Sequence, residues 1–239
     1  MKKFELTTEF VTNVAGKKLF RIKALVEFEN VKAGELGGYV EKEENISQDG
    51  NAWVFGDACV YGDARVSGNA WVSGAAWVHG NARVCGNAEV YGDTEVSGDA
   101  LVYGNAKVSD NVRVSDNAKV CGNAEVCGDA RVCGDARVCG DAKVHGNARV
   151  CGNAKVSDNA EVSGDADYAL VKGFGTEFRC TTFYRDKNKK IMVNCGCFHG
   201  DLEAFRKQVK ETRSGKIAKE YLMIADLMEQ HFAPEEEGE

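Results

Sequence analysis

One hexapeptide, Gly62-Asp63-Ala64-Arg65-Val66-Ser67, decides the fold of this chain because its pattern returns every six residues. Valine stands at each sixth position from Val54 to Val162, nineteen times in succession. Within a unit, Ala-x-Val-y alternates apolar and variable residues, which is the two-residue period of a β-strand. The Gly-Asn or Gly-Asp pair that follows tolerates positive φ, so the chain can turn after four extended residues. The pattern predicts short strands joined by tight corners.

These strands need a closed arrangement to hide their apolar side chains. A flat meander would place every alanine and valine on one uncovered face, and such a sheet would aggregate. Three strands per turn point the same side chains inward and give a coil of 18 residues, three units of six. The sequence therefore predicts a mainly β protein built on a triangular solenoid. In that register Val66 lies between Gln48 and Val84.

The stretch Val114-Ser115-Asp116-Asn117-Ala118-Lys119-Val120 resembles the hexapeptide-repeat left-handed parallel β-helix superfamily in its aliphatic, corner and small-residue positions. The resemblance covers about residues 44–167 and implies the left hand of the coil. The segment from Asn30 to Val40 is similar to the opening of proteins labelled as hexapeptide acetyltransferases and of phage or prophage β-helix proteins. We expect an N-terminal β cap at residues 1–43 and a C-terminal module at residues 168–239.

The patterns outside the repeats predict how the two ends are built. Residues 4–30 alternate as expected of a β-hairpin that leads into the first coil. Near the other end, Glu177–Tyr184 and Lys190–Phe198 are predicted to form a second hairpin around a two-residue loop. Two amphipathic helices follow, the first capped by Asp201 and the second running from Lys216 to Phe232.

Bulk composition restricts the classes of function. The formal net charge is −7, and residues 50–167 hold 10 Lys and Arg against 16 Asp and Glu, so we expect no extended nucleic acid as a partner. No run of apolar residues is long enough to span a bilayer, and the N-terminal residues lack the apolar stretch of an export signal. We therefore expect no membrane partner. The ten cysteines are then predicted to be reduced thiols in the cytoplasm of a bacterial host cell. The sequence gives no motif for a cofactor.

Residues 18 apart should stack, and two of the three outward columns then collect like charges in the later coils. Like charges on neighbouring strands repel, which suggests that an anion lies against them. The alternative is that Asp99 and Asp135, at the corner between the two columns, neutralise a merely solvated surface. The candidate ligand-binding residues are Arg113, Arg131, Arg149, Lys119, Arg137 and Lys155.

Aromatic residues occupy the outward positions of the early coils, and outward tryptophans usually mark an interface. They are covered either by residues 1–40 or by sister subunits, and the resemblance implies a homo-oligomer, with a trimer favoured. The second helix also carries a wide apolar stripe that suits packing on another element or subunit. The candidate interface residues are Trp53, Trp71, Trp77, Tyr91, Tyr103, Tyr221, Ile224 and Met228.

Catalytic and metal-binding signals are weak. His79 and His145 are candidates for a general base, but both occupy ordinary outward positions in uninterrupted coils. In the second predicted hairpin, a two-residue loop would place Cys180 opposite Cys195. Together with Cys197 and His199, these thiols offer ligands of the type that zinc prefers, although one hairpin rarely supplies a full set.

Three hypotheses of function remain open at this point. The first is a coenzyme A-dependent acyltransferase, which the resemblance implies. The second, which we favour, is a non-catalytic phage or prophage protein that sequesters or inhibits an anionic, nucleotide-like ligand or a bacterial protein. The third is a structural oligomerisation module.

Overall fold

The computed structural model describes residues 2–176 and 179–233 and consists of a parallel β-solenoid with an antiparallel sheet at each end. Nineteen two-residue strands, β4 to β22 in chain order, form three walls of the solenoid. Wall A contains Trp53–Val54, Trp71–Val72, Glu89–Val90, Lys107–Val108, Glu125–Val126, Lys143–Val144 and Glu161–Val162. Wall B contains Cys59–Val60, Trp77–Val78, Glu95–Val96, Arg113–Val114, Arg131–Val132 and Arg149–Val150. Wall C contains Arg65–Val66, Arg83–Val84, Leu101–Val102, Lys119–Val120, Arg137–Val138 and Lys155–Val156.

The 18-residue coil is confirmed by the strand register. Val66 pairs in parallel with Val84, and the Arg131 amide donates to the Ala148 carbonyl at 2.9 Å. Every valine of the repeat is buried, as is each alanine two residues before such a valine, so the core is a narrow apolar column along the axis. The left hand of the coil, implied by the resemblance, stays a prediction.

The first coil departs from the predicted register. Ile46, and not Gln48, forms the parallel bridge to Val66. The physical reason is a corner two residues longer than the others, in which the Gln48 side chain accepts hydrogen bonds from the amides of Lys3 at 2.8 Å and Phe4 at 3.3 Å. The extra residues therefore tie the N-terminal strand to the start of the solenoid.

The N-terminal cap is the predicted hairpin with one further strand. Strands β1 (Phe4–Thr12) and β2 (Lys18–Ala24) pair antiparallel, and β3 (Leu36–Val40) joins them to wall B by pairing with Cys59–Val60. The cap closes the open end of the coil with apolar side chains, because Phe4 and Phe28 pack edge-on against the buried Trp53 ring.

The C-terminal module is a four-stranded antiparallel sheet, where the sequence predicted only a hairpin. Its strands in order are β23 (Tyr168–Phe174), β24 (Arg179–Arg185), β25 (Ile191–Cys195) and β26 (Phe198–Asp201). The predicted start of the first hairpin strand, residues 177–178, lies outside the described residues. The outer strands were missed because their residues do not alternate cleanly between apolar and polar.

Two helices cover one face of this sheet. Helix α1 (Leu202–Thr212) begins at Asp201, whose side chain accepts from the Ala204 amide at 2.8 Å, as predicted. Helix α2 (Gly215–His231) packs against α1 and β23. Two short 3-10 helices, Glu43–Asn45 and Asp165–Asp167, flank the solenoid. None of the described helices combines the length and the apolar character that crossing a bilayer requires.

Candidate functional site

Wall A carries alternating charges along its outer surface. The Lys107 ammonium lies 3.5 Å from a carboxylate oxygen of Glu89, and the Lys143 ammonium lies 3.5 Å from one of Glu125. Opposite charges on neighbouring strands attract, so this ladder stabilises the wall. The repeat is therefore compatible with neutral, paired columns.

Walls B and C stack like charges instead. Arg131 is in register with Arg113 and Arg149, and Arg137 is in register with Lys119 and Lys155. Neighbouring strands lie about 4.8 Å apart, so these cations form two close rows on either side of one solenoid edge. The structure thus brings all six predicted ligand-binding residues together. We call this surface the basic corner: Arg113, Arg131, Arg149, Lys119, Arg137 and Lys155.

The carboxylates at the edge between the two rows are engaged in other contacts. Asp135 accepts a hydrogen bond from the Asn117 amide group at 2.9 Å, and Asp99 accepts one from Asn81 at 2.8 Å. Asp116 accepts from the backbone amide of Gly134 at 2.9 Å. In the described part of the chain neither Asp99 nor Asp135 forms an ion pair with the cations of the basic corner. Asp99 and Asp135, which the sequence suggested as neutralising groups, therefore do not contact the cations of the basic corner directly.

Within the described ranges, one arginine of the basic corner forms an ion pair with a carboxylate of its own wall. Arg113 reaches Glu95 of the preceding coil at 3.7 Å. Arg131 and Arg137 are exposed and make no ion pair with any described residue. A guanidinium group in this state presents several donors in a plane that suits carboxylate or phosphate oxygens.

A second group of arginines lies in a groove that the sequence did not indicate. The groove, about 640 Å³, is lined by Arg65 and Arg83 of wall C and by Glu43 and Glu44 of the first 3-10 helix. It arises from the longer corner of the first coil, which no repeat pattern reveals. The two glutamates at its rim reduce its positive potential, so the basic corner is the stronger anion site.

The predicted interface residues separate into a buried group and an exposed group. Trp53 is fully buried under the N-terminal cap, as expected if residues 1–40 cover it, and Trp71 is half-buried and packs edge-on with Phe55. Trp77, Tyr91 and Tyr103 remain more than a third exposed.

Of these three exposed rings, Trp77 borders on the cap. Trp77 lines a cleft of about 200 Å³ with Tyr61 and residues of the β1–β2 hairpin, among them Val14 and Leu19. This part of wall B is the apolar surface that suits contact with another protein chain.

Two of the three helix positions predicted to form an interface are core residues of this chain, and the third, Tyr221, is half-buried. Ile224 and Met228 are 7% and 6% exposed and pack with Phe183 and Phe205 in the C-terminal module. Tyr221 packs edge-on against Phe205. Their stripe is covered because the unexpected outer strand β23 lies beneath α2.

The two histidines proposed as general bases lie at different corners and are not brought together. His79 lies 3.0 Å from Glu95 and its ring stacks on Tyr61 at 4.9 Å. His145 lies 3.7 Å from Glu161. A carboxylate beside an imidazole can orient it for proton transfer, but here each pair also completes the packing of a regular coil.

The predicted opposition of Cys180 and Cys195 is wrong. The loop between β24 and β25 spans residues 186–190 because the Asp186 side chain accepts from the amides of Asn188 and Lys190, each at 2.8 Å. Thr181 therefore faces Cys195 and donates its hydroxyl to the thiol at 3.1 Å. Among the described residues, no three acidic, cysteine or histidine side chains converge as metal ligands.

His199 belongs to a polar cluster that sequence reasoning missed. Its ring nitrogen lies 2.9 Å from Asp158 and 3.1 Å from the Tyr184 hydroxyl. Ser157 donates to Asp158 at 3.0 Å, and Asn194 donates to Ser157 at 3.1 Å. Burial raises the pKa of Tyr184 to about 12, so its hydroxyl stays protonated. The cluster joins the last coil to the C-terminal sheet, across a chain separation that no local pattern reveals.

Comparison with known proteins agrees with the architecture. A family model described as the YdcK β-solenoid repeat matches residues 64–80 and 130–146. No curated protein matches the chain. The matched segments lie in the regular coils, and the second includes Arg131 and Arg137 of the basic corner. The chain is a β-solenoid repeat protein with repeats similar to those of the YdcK model.

Proposed function

We propose that this protein is a non-catalytic binding protein that holds an anionic, nucleotide-like ligand against its basic corner. The observation that carries the proposal is the like-charge stacking of walls B and C beside the paired ladder of wall A. The same repeat accommodates both patterns, so the geometry of the coil does not impose the stacking of like charges. An anion that bridges neighbouring rows offsets their repulsion.

The rigidity of the coil supports this role. Arg113, Arg131, Lys119 and Arg137 project from strands that pair with the coils before and after them, as in the donation from Arg131 to Ala148, and Arg149 and Lys155 project from the last strands of walls B and C. The backbone that carries these cations is preorganised and loses little conformational freedom on binding, which favours affinity. Phage or prophage origin, a location in the host cytoplasm and a bacterial target are parts of the same proposal, and they rest on the resemblance of the sequence.

A homotrimer is the assembly that we propose for this protein. Its support is the exposed Trp77 ring on wall B, because an exposed aromatic ring beside an apolar cleft suits a subunit contact. Neighbouring subunits would turn the convex basic corner into one side of a concave site. Light scattering on the full chain should give three times the chain mass of 25.9 kDa, and a monomer would contradict the assembly.

The binding test compares charge reversals in the same coil. We expect a fluorescent nucleoside triphosphate to bind the wild type with an affinity that weakens as salt is raised. The double variant Arg131→Glu/Arg137→Glu should weaken binding at least tenfold, because two attractive contacts become repulsive. Lys143→Glu, on wall A, is the matched control and should change the affinity less than twofold.

Two results would contradict the proposal. One is equal binding by the wild type and the double variant, measured by fluorescence anisotropy with circular dichroism confirming the fold. The other is a rise in melting temperature with coenzyme A that survives in the double variant, since this would favour the acyltransferase hypothesis.

A further inference from the structure

Two cysteines occupy equivalent positions in consecutive coils, at the edge between the rows of the basic corner. Cys133 follows Arg131 by two residues and Cys151 follows Arg149 by two, and these arginines pair in register. The Cys133 amide donates to Val150 at 3.0 Å, and the two sulfur atoms lie 2.8 Å apart. Neighbouring strands are about 4.8 Å apart, within the Cα separation of about 4.4–6.8 Å that disulfides span.

Both thiols are accessible to an oxidant. Cys133 and Cys151 are half-buried, and neither forms a disulfide in the structure. The surrounding cations of the basic corner attract anionic reagents. Glutathione disulfide carries carboxylates and is therefore a suitable oxidant at this position.

We propose that Cys133 and Cys151 form a reversible disulfide that links the two coils in exchange with glutathione disulfide. One protein thiolate attacks a sulfur of glutathione disulfide, forms a mixed disulfide and releases one glutathione thiolate. The second protein thiolate attacks the protein sulfur of the mixed disulfide and releases the other glutathione. The two protein thiols are oxidised, the glutathione disulfide is reduced to two thiols, and the two protein protons pass to them.

The other cysteines of the solenoid are less suited to this exchange. Cys127 stacks between Ser109 and His145, and Cys85 stacks between Ser67 and Tyr103, so neither has a cysteine in register. Cys121 and Cys139 do stack. Burial, however, raises the pKa of the Cys139 thiol, which lowers its thiolate fraction.

The link closes an 18-residue loop between neighbouring coils. Such a bond restricts the unfolded chain and opposes opening of the last coils. The disulfide itself requires only the two stacked thiols, and the cations of the basic corner affect only how readily glutathione disulfide reaches them. Loss of binding in the charge-reversal variant and loss of the disulfide are therefore separate results.

The test uses the 239-residue chain in glutathione redox buffers, followed by alkylation and tryptic mapping. Cleavage after lysine and arginine places Cys133 in peptide 132–137 and Cys151 in peptide 150–155, distinct from peptide 138–143 with Cys139. We expect the first two to be recovered as one linked species in oxidising buffer. The melting temperature should rise by several degrees and return when dithiothreitol is added.

Matched variants decide the assignment. Cys133→Ser should abolish both the linked peptide and the thermal shift, whereas Cys127→Ser should preserve both. Recovery of Cys133 and Cys151 only as unlinked thiols or as mixed glutathione adducts would overturn the proposal. So would a linked species that joins Cys121 to Cys139 while Cys133 stays alkylated.

Discussion

At the scale of the residue, the corners of the solenoid depend on left-handed backbone. Glycine fills this position in most units, and Asp110, Asp116 and Asp158 fill it in three, with φ of 64°, 59° and 57°. Aspartate tolerates this region because its short side chain hydrogen-bonds locally, and Asp116 does so with the Gly134 amide of the next coil. Asp110 makes the same kind of contact with the Gly128 amide at 2.9 Å, whereas Asp158, in the last coil, accepts from Ser157 and lies beside His199 of the C-terminal sheet.

The close stacking of corners predicts a difference between two glycines of similar φ. A Cβ on Gly134 (φ 68°) would lie 2.9 Å from the Gly152 nitrogen, whereas a Cβ on Gly152 (φ 66°) would meet only Leu170 at 3.5 Å. Both alanine variants pay about 1–2 kcal/mol for positive φ. Gly134→Ala should cost about 1–3 kcal/mol more, because backbone must shift. Urea denaturation measures the difference, and equal losses of stability would contradict the stacking.

At the scale of the element, each end of the solenoid is closed by groups that replace a missing coil. The buried ammonium of Lys3 donates to the carbonyls of Gly50 at 3.1 Å and Ala52 at 2.9 Å. At the other end, the Thr182 hydroxyl accepts from the Lys155 amide at 3.0 Å, and Asn194 donates to the Lys155 carbonyl at 3.0 Å. These contacts satisfy the exposed edge of the terminal strands, which would otherwise recruit other chains.

The Lys3 contact predicts how stability changes with pH. Burial lowers the pKa of Lys3 from 10.5 to about 8, so between these values the unfolded chain binds more protons than the folded one. The contribution of Lys3 to the free energy of unfolding therefore rises as the pH rises from about 8 to 10.5. The unfolding free energy of the wild type relative to Lys3→Met should increase by up to about 3 kcal/mol from pH 8 to 10.5.

Urea titrations at several pH values measure this change. Lys2→Met is the control, because Lys2 is largely exposed and pairs with Glu43 at the surface. The difference in unfolding free energy between Lys2→Met and the wild type should stay constant over the same range of pH. A flat profile for Lys3→Met as well would show that the ammonium is not buried at the end of the coil.

At the scale of the whole molecule, the periodic part of the chain was predictable and the aperiodic contacts were not. The repeat determines which residues face inward and which stack. Counting 18 residues along the sequence therefore predicted that Arg131 and Arg137 lie in stacked rows of cations. The bridge from Ile46 to Val66 could not be predicted in this way, because one longer corner shifts the register of the first coil by two residues. The contact of His199 with Asp158 joins residues 41 apart, beyond the reach of local periodicity.

The central claim is that the basic corner binds an anion. It implies that the stacked cations lower the free energy of unfolding of the solenoid when no anion is bound. Arg131 lies between Arg113 and Arg149, so Arg131→Glu replaces two repulsive neighbours with two attractive ones. On wall A, Lys143→Glu has the opposite effect, because it places a third glutamate in register between Glu125 and Glu161. The two variants make the same change of charge in opposite surroundings.

The most direct measurement is therefore the free energy of unfolding of Arg131→Glu at low salt. We predict a rise of about 0.5–1 kcal/mol over the wild type, together with weaker anion binding. Lys143→Glu should lose stability and keep its binding. A fall in stability for Arg131→Glu with binding unchanged would contradict the claim, since the stacked cations would then serve the fold and not a ligand.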